Sequence, residues 1–140
     1  MTEVVESGPF AGWRRLAPQL FAVLRIVAGL IIITYGTMKL FAWPVGLPPN
    51  NGTAQLMSQI GLAGVLETFG GLLILIGAFT RPVAFILSGE MAVAYFQGHF
   101  PNGFWPVQNN GTPAVLYCFY FLYLSAAGAG IWSVDAARNR

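Results

Sequence analysis

The 140-residue chain has one cysteine and one histidine. Cys118 alone can form no intrachain disulfide, no Cys-X-X-Cys redox pair and no cysteine-based metal site. In its apolar run it reads as a small packing residue. With His99 as the sole histidine, a bis-histidine haem within one chain is excluded. Charge is just as scarce. Asp, Glu, Lys and Arg make up 9% of the residues, against about a quarter in an ordinary soluble domain. The net charge of +2 is too small, and its seven cations too scattered, for a nucleic-acid footprint. A cleaved secretory signal is not expected either. Glu3 and Glu6 precede Arg14 and Arg15, and the apolar segment that follows is long enough to stay in a bilayer.

What the chain does have is apolar length. Hydrophobic residues are 56% of the total, and a spanning helix needs about 20 mostly apolar residues. Four segments qualify: Leu16 to Phe41, Gly61 to Phe79, Pro82 to Phe96 or slightly beyond, and Pro113 to about Trp132. The expected fold is an all-α integral membrane four-helix bundle. It occupies residues 16–132, with a cytoplasmic N-terminal segment (1–15) and a cytoplasmic tail (133–140). Only "TRP", Thr80 to Pro82, separates the second and third segments, which implies a tight antiparallel hairpin with Pro82 in the first turn of a new helix. Both longer loops, Ala42 to Ile60 and Gln97 to Thr112, contain "NNGT". Thr53 and Thr112 there read as N-caps, with Pro113 at a first helical position. Asn51 and Asn110 also fit glycosylation sequons, although turn plus cap is the simpler reading.

Arg14, Arg15, Arg81, Arg138 and Arg140 fall on one side of a four-span bundle, so both termini are expected to be cytoplasmic. His99 and the NNGT turns then face outward. Trp43, Phe100, Phe104 and Trp105 fit an outer aromatic belt, and Trp132 the inner one.

Four ionisable residues lie within the spans: Arg25, Lys39, Glu67 and Glu90. Such groups cost about 2.5 to 3.5 kcal/mol each on insertion scales, so they normally face the bundle interior and pair. Arg25, Gly29, Ile32, Gly36 and Lys39 form one helical stripe, and Gly64, Gly70 and Gly71 share the Glu67 face. Glycines on these faces allow close helix approach. On the third helix Ala84, Ser88 and Ala92 form a small-residue row roughly opposite Glu90. At 1.5 Å per residue both glutamates lie roughly 10 Å below the outer surface, with Lys39 near it and Arg25 about 24 Å down. The expectation is an outer-half cluster of Lys39, Glu67, Glu90 and His99, joined by Tyr35 and Tyr117. Arg25 either snorkels to the cytoplasmic face or binds backbone carbonyls.

Two readings of the cluster stay open. The charges fit structural ion pairs that specify helix packing, and they fit a ligand or proton site open to the outer face. His99 is either an interfacial histidine bonded within its loop or one that exchanges protons near neutrality. No close metal-ligand motif accompanies it, so no metal is expected. Tyr117, Tyr120 and Tyr123 read as packing residues on which a quinone-like ring could also stack.

The segments "LRIVAGLIIITYGTMKLF" (24–41), "LETFGGLLILIGAFTRPVA" (66–84), "GEMAVAYFQGHFPNGFWPVQNNG" (89–111) and "AVLYCFYFLYLSAAGAGIWSVD" (114–135) resemble, in order, the DoxX family of small bacterial four-helix membrane proteins. The resemblance implies a multi-pass protein of the bacterial cytoplasmic membrane with a loose association with redox work. That would be an accessory or quinone-linked component of a membrane oxidoreductase or oxidative-stress system. It implies no self-contained catalytic motif and no covalent cofactor, with a quinone as the expected non-covalent one. The implied partners are the lipid bilayer, a membrane or periplasmic redox protein and further copies of the chain. The positions carried over are Arg25, Lys39, Glu67, Arg81, Glu90, His99, Asn109 and Asp135. Glu67, Glu90 and His99 are the catalytic candidates. Lys39, Tyr35, Asn109 and Tyr117 join them as candidate ligand contacts, and Arg25, Arg81 and Asp135 are structural charges. Many relatives place an acid after the glycine of the NGG-like turn; here Thr112 and Pro113 follow Gly111, which leaves only a capping role to Thr112. The competing functions are a non-enzymatic scaffold or partner subunit and a small-solute or proton pathway.

Overall fold

The computed structural model describes residues 8–139. The expectations resting on Glu3, Glu6 and Arg140 lie outside them. Among the described residues the protein is all-helical, without strands. Four longer helices dominate: α1 (Ala17–Phe41), α2 (Gln59–Ile76), α3 (Thr80–Ala94) and α4 (Thr112–Ala127). By length and apolar composition α1 and α2 suffice to cross a membrane, while α4 is apolar but shorter. Single helical turns occupy Ala11–Arg14, Pro106–Asn109 and Val134–Arg138.

Two segment ends depart from the sequence expectation. The fourth helix stops at Ala127 rather than near Trp132, because Gly128 takes a φ of 81° and Gly130 one of 72°. The third continues past Ala94 as a π-helical turn, Tyr95–His99, and a 3₁₀ turn, Phe100–Asn102. His99 therefore ends a helical rod instead of sitting in an open loop.

The glycine stripes set how closely helices approach. A Cβ on Gly29 would lie 2.8 Å from the backbone nitrogen of Leu75, and one on Gly71 2.9 Å from Ile33 Cγ1. The backbones of α1 and α2 thus meet along the Arg25–Lys39 face, and a side chain there would hold them apart. The α3 row behaves similarly toward α4: Ala84 and Ser88 are buried, and Ser88 Oγ donates to the Cys118 carbonyl at 2.8 Å. Ile32, Ile74, Leu87, Met91, Phe121 and Leu124 join these pairs into one core. The outward faces carry large exposed apolar side chains such as Phe69, Phe85 and Phe119. That pattern suits a lipid environment, in which apolar surface needs no burial in protein.

Both expected threonine caps are corrected. Thr53 precedes α2 by several residues; Ser58 is the N-cap, its hydroxyl accepting from Gly61 N–H at 3.1 Å. The NNGT turn around Thr53 instead closes a small bridge between Leu47 and Gly52. Thr112 is already the first residue of α4 and caps nothing with its side chain, whereas Asn109 Oδ1 accepts from the Gly111 N–H just ahead. Pro82 lies in the first turn of α3 as expected. There the orphan N–H groups of Phe79 and Thr80 donate to the two carboxylate oxygens of Asp135, at 2.9 and 3.0 Å.

Candidate functional site

Lys39 occupies the last turn of α1, and Glu67 the middle of α2 on the face that meets α1. Lys39 packs its Cβ beside Gly64, about one turn from Glu67, and its Nζ reaches to 2.5 Å from Glu67 Oε2. The glutamate is 3% exposed, and Lys39 also sits 5.8 Å from the centre of the Tyr35 ring. Among the described residues this is the one salt bridge. Glu90 projects from α3 toward the same point and interacts directly with the Glu67 carboxylate. Its Oε2 atom is buried without a hydrogen-bond partner. Two carboxyl groups beside one ammonium leave either a surplus negative charge or a bound proton. An arrangement of this kind can exchange protons and can anchor a group that donates hydrogen bonds.

A groove of about 650 Å³ runs between α2 and α3, with Lys39, Glu67, Glu90 and His99 on its wall and Ala63, Leu66, Ile86 and Val93 along its apolar length. It exists because α2 and α3, although joined by a three-residue turn, pack far less against each other than α1 does on α2 or α3 on α4. At the end of the groove nearer His99, Gln59 and Gln97 hydrogen-bond across from α2 to the π-helical turn. On the other side of the Lys39–Glu67 pair lies a cavity of about 150 Å³ bounded by Tyr35, Tyr117, Met91 and again His99. The expected cluster of four is thus assembled in one place, with Tyr35 and Tyr117 behind it.

His99 is held from outside. Its Nδ1 lies 3.0 Å from the Asn109 carbonyl oxygen, and its ring stacks on Tyr95, centroids 6.4 Å apart. Asn109, a candidate ligand contact by resemblance, borders neither cavity. Its side chain donates to the Gly103 carbonyl at 2.8 Å and to Tyr95 Oη at 3.3 Å. It therefore shapes the turn that carries His99. Sequence reasoning passed over Gln59, Gln97 and Tyr95, whose only signal is a polar group close to a helix end.

The structural charges lie at the opposite end of the bundle. Arg25 is 0% exposed and does not snorkel. It donates to the carbonyls of Ala129 (2.5 Å), Ile131 (3.2 Å) and Trp132 (2.8 Å) in the unwound segment after α4. Helix ends leave such carbonyls without partners, and the guanidinium fork satisfies three of them. Asp135 caps α3, and Arg81 lies over Gly128. Burial disfavours the Asp135 carboxylate, but hydrogen bonds from Thr80 and Phe79 and the charge of Arg138 outweigh it. They hold the group below its ordinary carboxyl range.

The DoxX family model matches residues 20–100, which takes in nearly all of α1, the whole of α2 and α3, and all four residues of the cluster. An uncharacterized Haemophilus influenzae protein is 41% identical over 121 residues, covering 84% of this chain and 90% of that one. The Escherichia coli inner membrane protein YphA is 27% identical over 135 residues, with 84% of this chain and 89% of that protein covered. An uncharacterized membrane protein of Mycobacterium tuberculosis is 26% identical over 141 residues, with 88% and 86% covered. No solved structure matches. The family match over more than half the chain, its apolar helices and these membrane relatives together place the protein in the DoxX family of bacterial membrane proteins.

Proposed function

We propose that the chain spans the cytoplasmic membrane four times with both termini inside, and that the groove between α2 and α3 binds a quinone-type carrier for a partner oxidoreductase. The observation that carries this reading is the unpartnered Glu90 carboxylate oxygen in the wall of an apolar groove, beside the Lys39–Glu67 pair. An isoprenoid tail suits the Leu66, Ile86 and Val93 lining, and the groove opens sideways, where a lipid-soluble molecule would enter. Reduction of a quinone to its quinol takes two electrons and two protons. The partner supplies the electrons, Glu67, Glu90 and His99 exchange the protons, and Lys39 stabilises an anionic form of the ring.

The test is binding of a short-chain ubiquinone to the purified protein in detergent, followed by calorimetry. Glu90→Gln weakens binding about tenfold, as expected for one charged hydrogen bond of roughly 1.5 kcal/mol, and Ala63→Phe, which fills the groove, abolishes it. Absence of binding, or binding indifferent to both variants, overturns the reading. In that event the scaffold reading stands, in which the charges serve helix packing alone. The mutual neutralisation of Lys39 and Glu67 is the observation that favours it.

A further inference from the structure

At the end of the bundle opposite the groove is a second cavity, about 490 Å³, between the start of α3, the unwound segment after α4 and the Val134–Arg138 turn. Nothing in the groove reading uses it. Two arginines flank it. The Arg81 guanidinium lies over Gly128, its Nε 3.3 Å from the point where a Cβ on that glycine would sit. Arg138 is 5.1 Å from the centre of the Phe79 ring. Neither makes an ion pair with a described carboxylate. Asp135 borders the same cavity, but both its oxygens already accept from the Phe79 and Thr80 N–H groups. Behind the cavity wall, Arg25 holds the Ala129 carbonyl and faces no carboxylate within salt-bridge range. Three cations therefore stand against one carboxylate that is occupied with capping.

We propose that this cavity is a binding site for the phosphate of an anionic phospholipid headgroup. The chemistry selects an anion with several acceptor oxygens, because guanidinium forks match phosphate geometry. The position selects a lipid over a soluble phosphate. The cavity lies at the ends of the apolar helices α3 and α4, just beyond the end of α2, with the exposed Phe79 in its lining to meet acyl chains and the interface. Basic pockets between helices at this depth are suited to such headgroups. A zwitterionic lipid fits less well, since its own cation would meet Arg81 and Arg138.

The test uses the full-length protein in nanodiscs of phosphatidylglycerol and phosphatidylcholine, with retained lipids counted by native mass spectrometry. The expected result is a preference for phosphatidylglycerol that falls about fivefold in Arg81→Gln and again in Arg138→Gln, a scale set by one arginine near an anionic surface. Arg15→Gln, which removes a charge from the same end away from the cavity, leaves the preference intact. Arg138 lies on an exposed terminal turn, so its variant reads the site even where Arg81→Gln disturbs α3. Equal retention of both lipids overturns the proposal, and so does a preference unchanged in the two cavity variants. An equal loss in Arg15→Gln also overturns it, since the attraction would then belong to the whole surface. Displacement of the retained lipid by millimolar inorganic phosphate overturns the lipid assignment in favour of a soluble phosphate.

Discussion

Removing Lys39 tests what holds the cluster together. The ammonium lies 2.5 Å from Glu67 Oε2, with side chains 16% and 4% exposed. In an effective dielectric of about 20 the gross attraction at that separation is roughly 6 to 7 kcal/mol, and desolvation of both ions offsets much of it. Breaking a buried pair from one side costs about 3 to 5 kcal/mol, because the remaining charge is left uncompensated. The residual exposure of Lys39 places the estimate at the lower end. Lys39→Met should therefore destabilise the fold by about 3 kcal/mol. Lys39→Met with Glu67→Gln removes both charges and should return to within about 1 kcal/mol of the parent, giving a coupling of at least about 2 kcal/mol in the cycle, and more by whatever Glu67→Gln costs alone. Reversible unfolding in mixed micelles of dodecyl maltoside and SDS, followed by helical circular dichroism, measures both. A Lys39→Met cost below about 0.5 kcal/mol, or a cycle without coupling, would show a solvent-screened surface pair and refute the reasoning.

Four further outcomes follow from other parts of the fold. Gly29→Ala forces a Cβ to 2.8 Å from the Leu75 nitrogen and should cost about 1 to 3 kcal/mol in the same unfolding assay. Gly89→Ala, with nothing within 4 Å, should be neutral or stabilising by up to about 1 kcal/mol. Arg25→Lys replaces the fork by a single ammonium and should cost about 1 to 3 kcal/mol, with faster proteolysis between residues 128 and 133. For Asp135 the folded value lies below the unfolded one. Its contribution is therefore complete above the ordinary carboxyl range and disappears as pH falls through the depressed folded value. A stability–pH curve of Asp135→Asn should be lower by about 1 kcal/mol near neutrality and should lose that part of the acid limb.

The parts of the fold legible in the sequence are those that local periodicity encodes. The helix beginnings and the Arg25–Lys39 stripe follow from repeats of three and four residues, and Gly29 and Gly71 pack where that stripe puts them. Counting residues from helix ends was enough to put Lys39 above Glu67 and Glu90 and within side-chain reach of them, because rise per residue is fixed. The caps were misread for the opposite reason. Asp135 caps a helix that begins more than fifty residues before it, and Asn109 displaces Thr112 through a tight turn. No local motif encodes the Asp135 contact, whereas the Asn109 turn spans two residues and competes locally with the threonine. Arg25 shows the same limit: the carbonyls it binds exist as free acceptors only because Gly128 unwinds the chain more than a hundred residues later.

Sequence by itself determined the apolar helices, the scarcity of charge, the close-packing faces and the residues able to form a cluster, since each is set by composition or by helical repeat. Only the tertiary structure decided that Glu67 pairs with Lys39 while a Glu90 oxygen stays unpartnered. It also decided that the groove lies between α2 and α3, and that Arg81 and Arg138 line a cavity at the other end. Those outcomes depend on how closely each pair of helices approaches, and that distance is a property of two surfaces together.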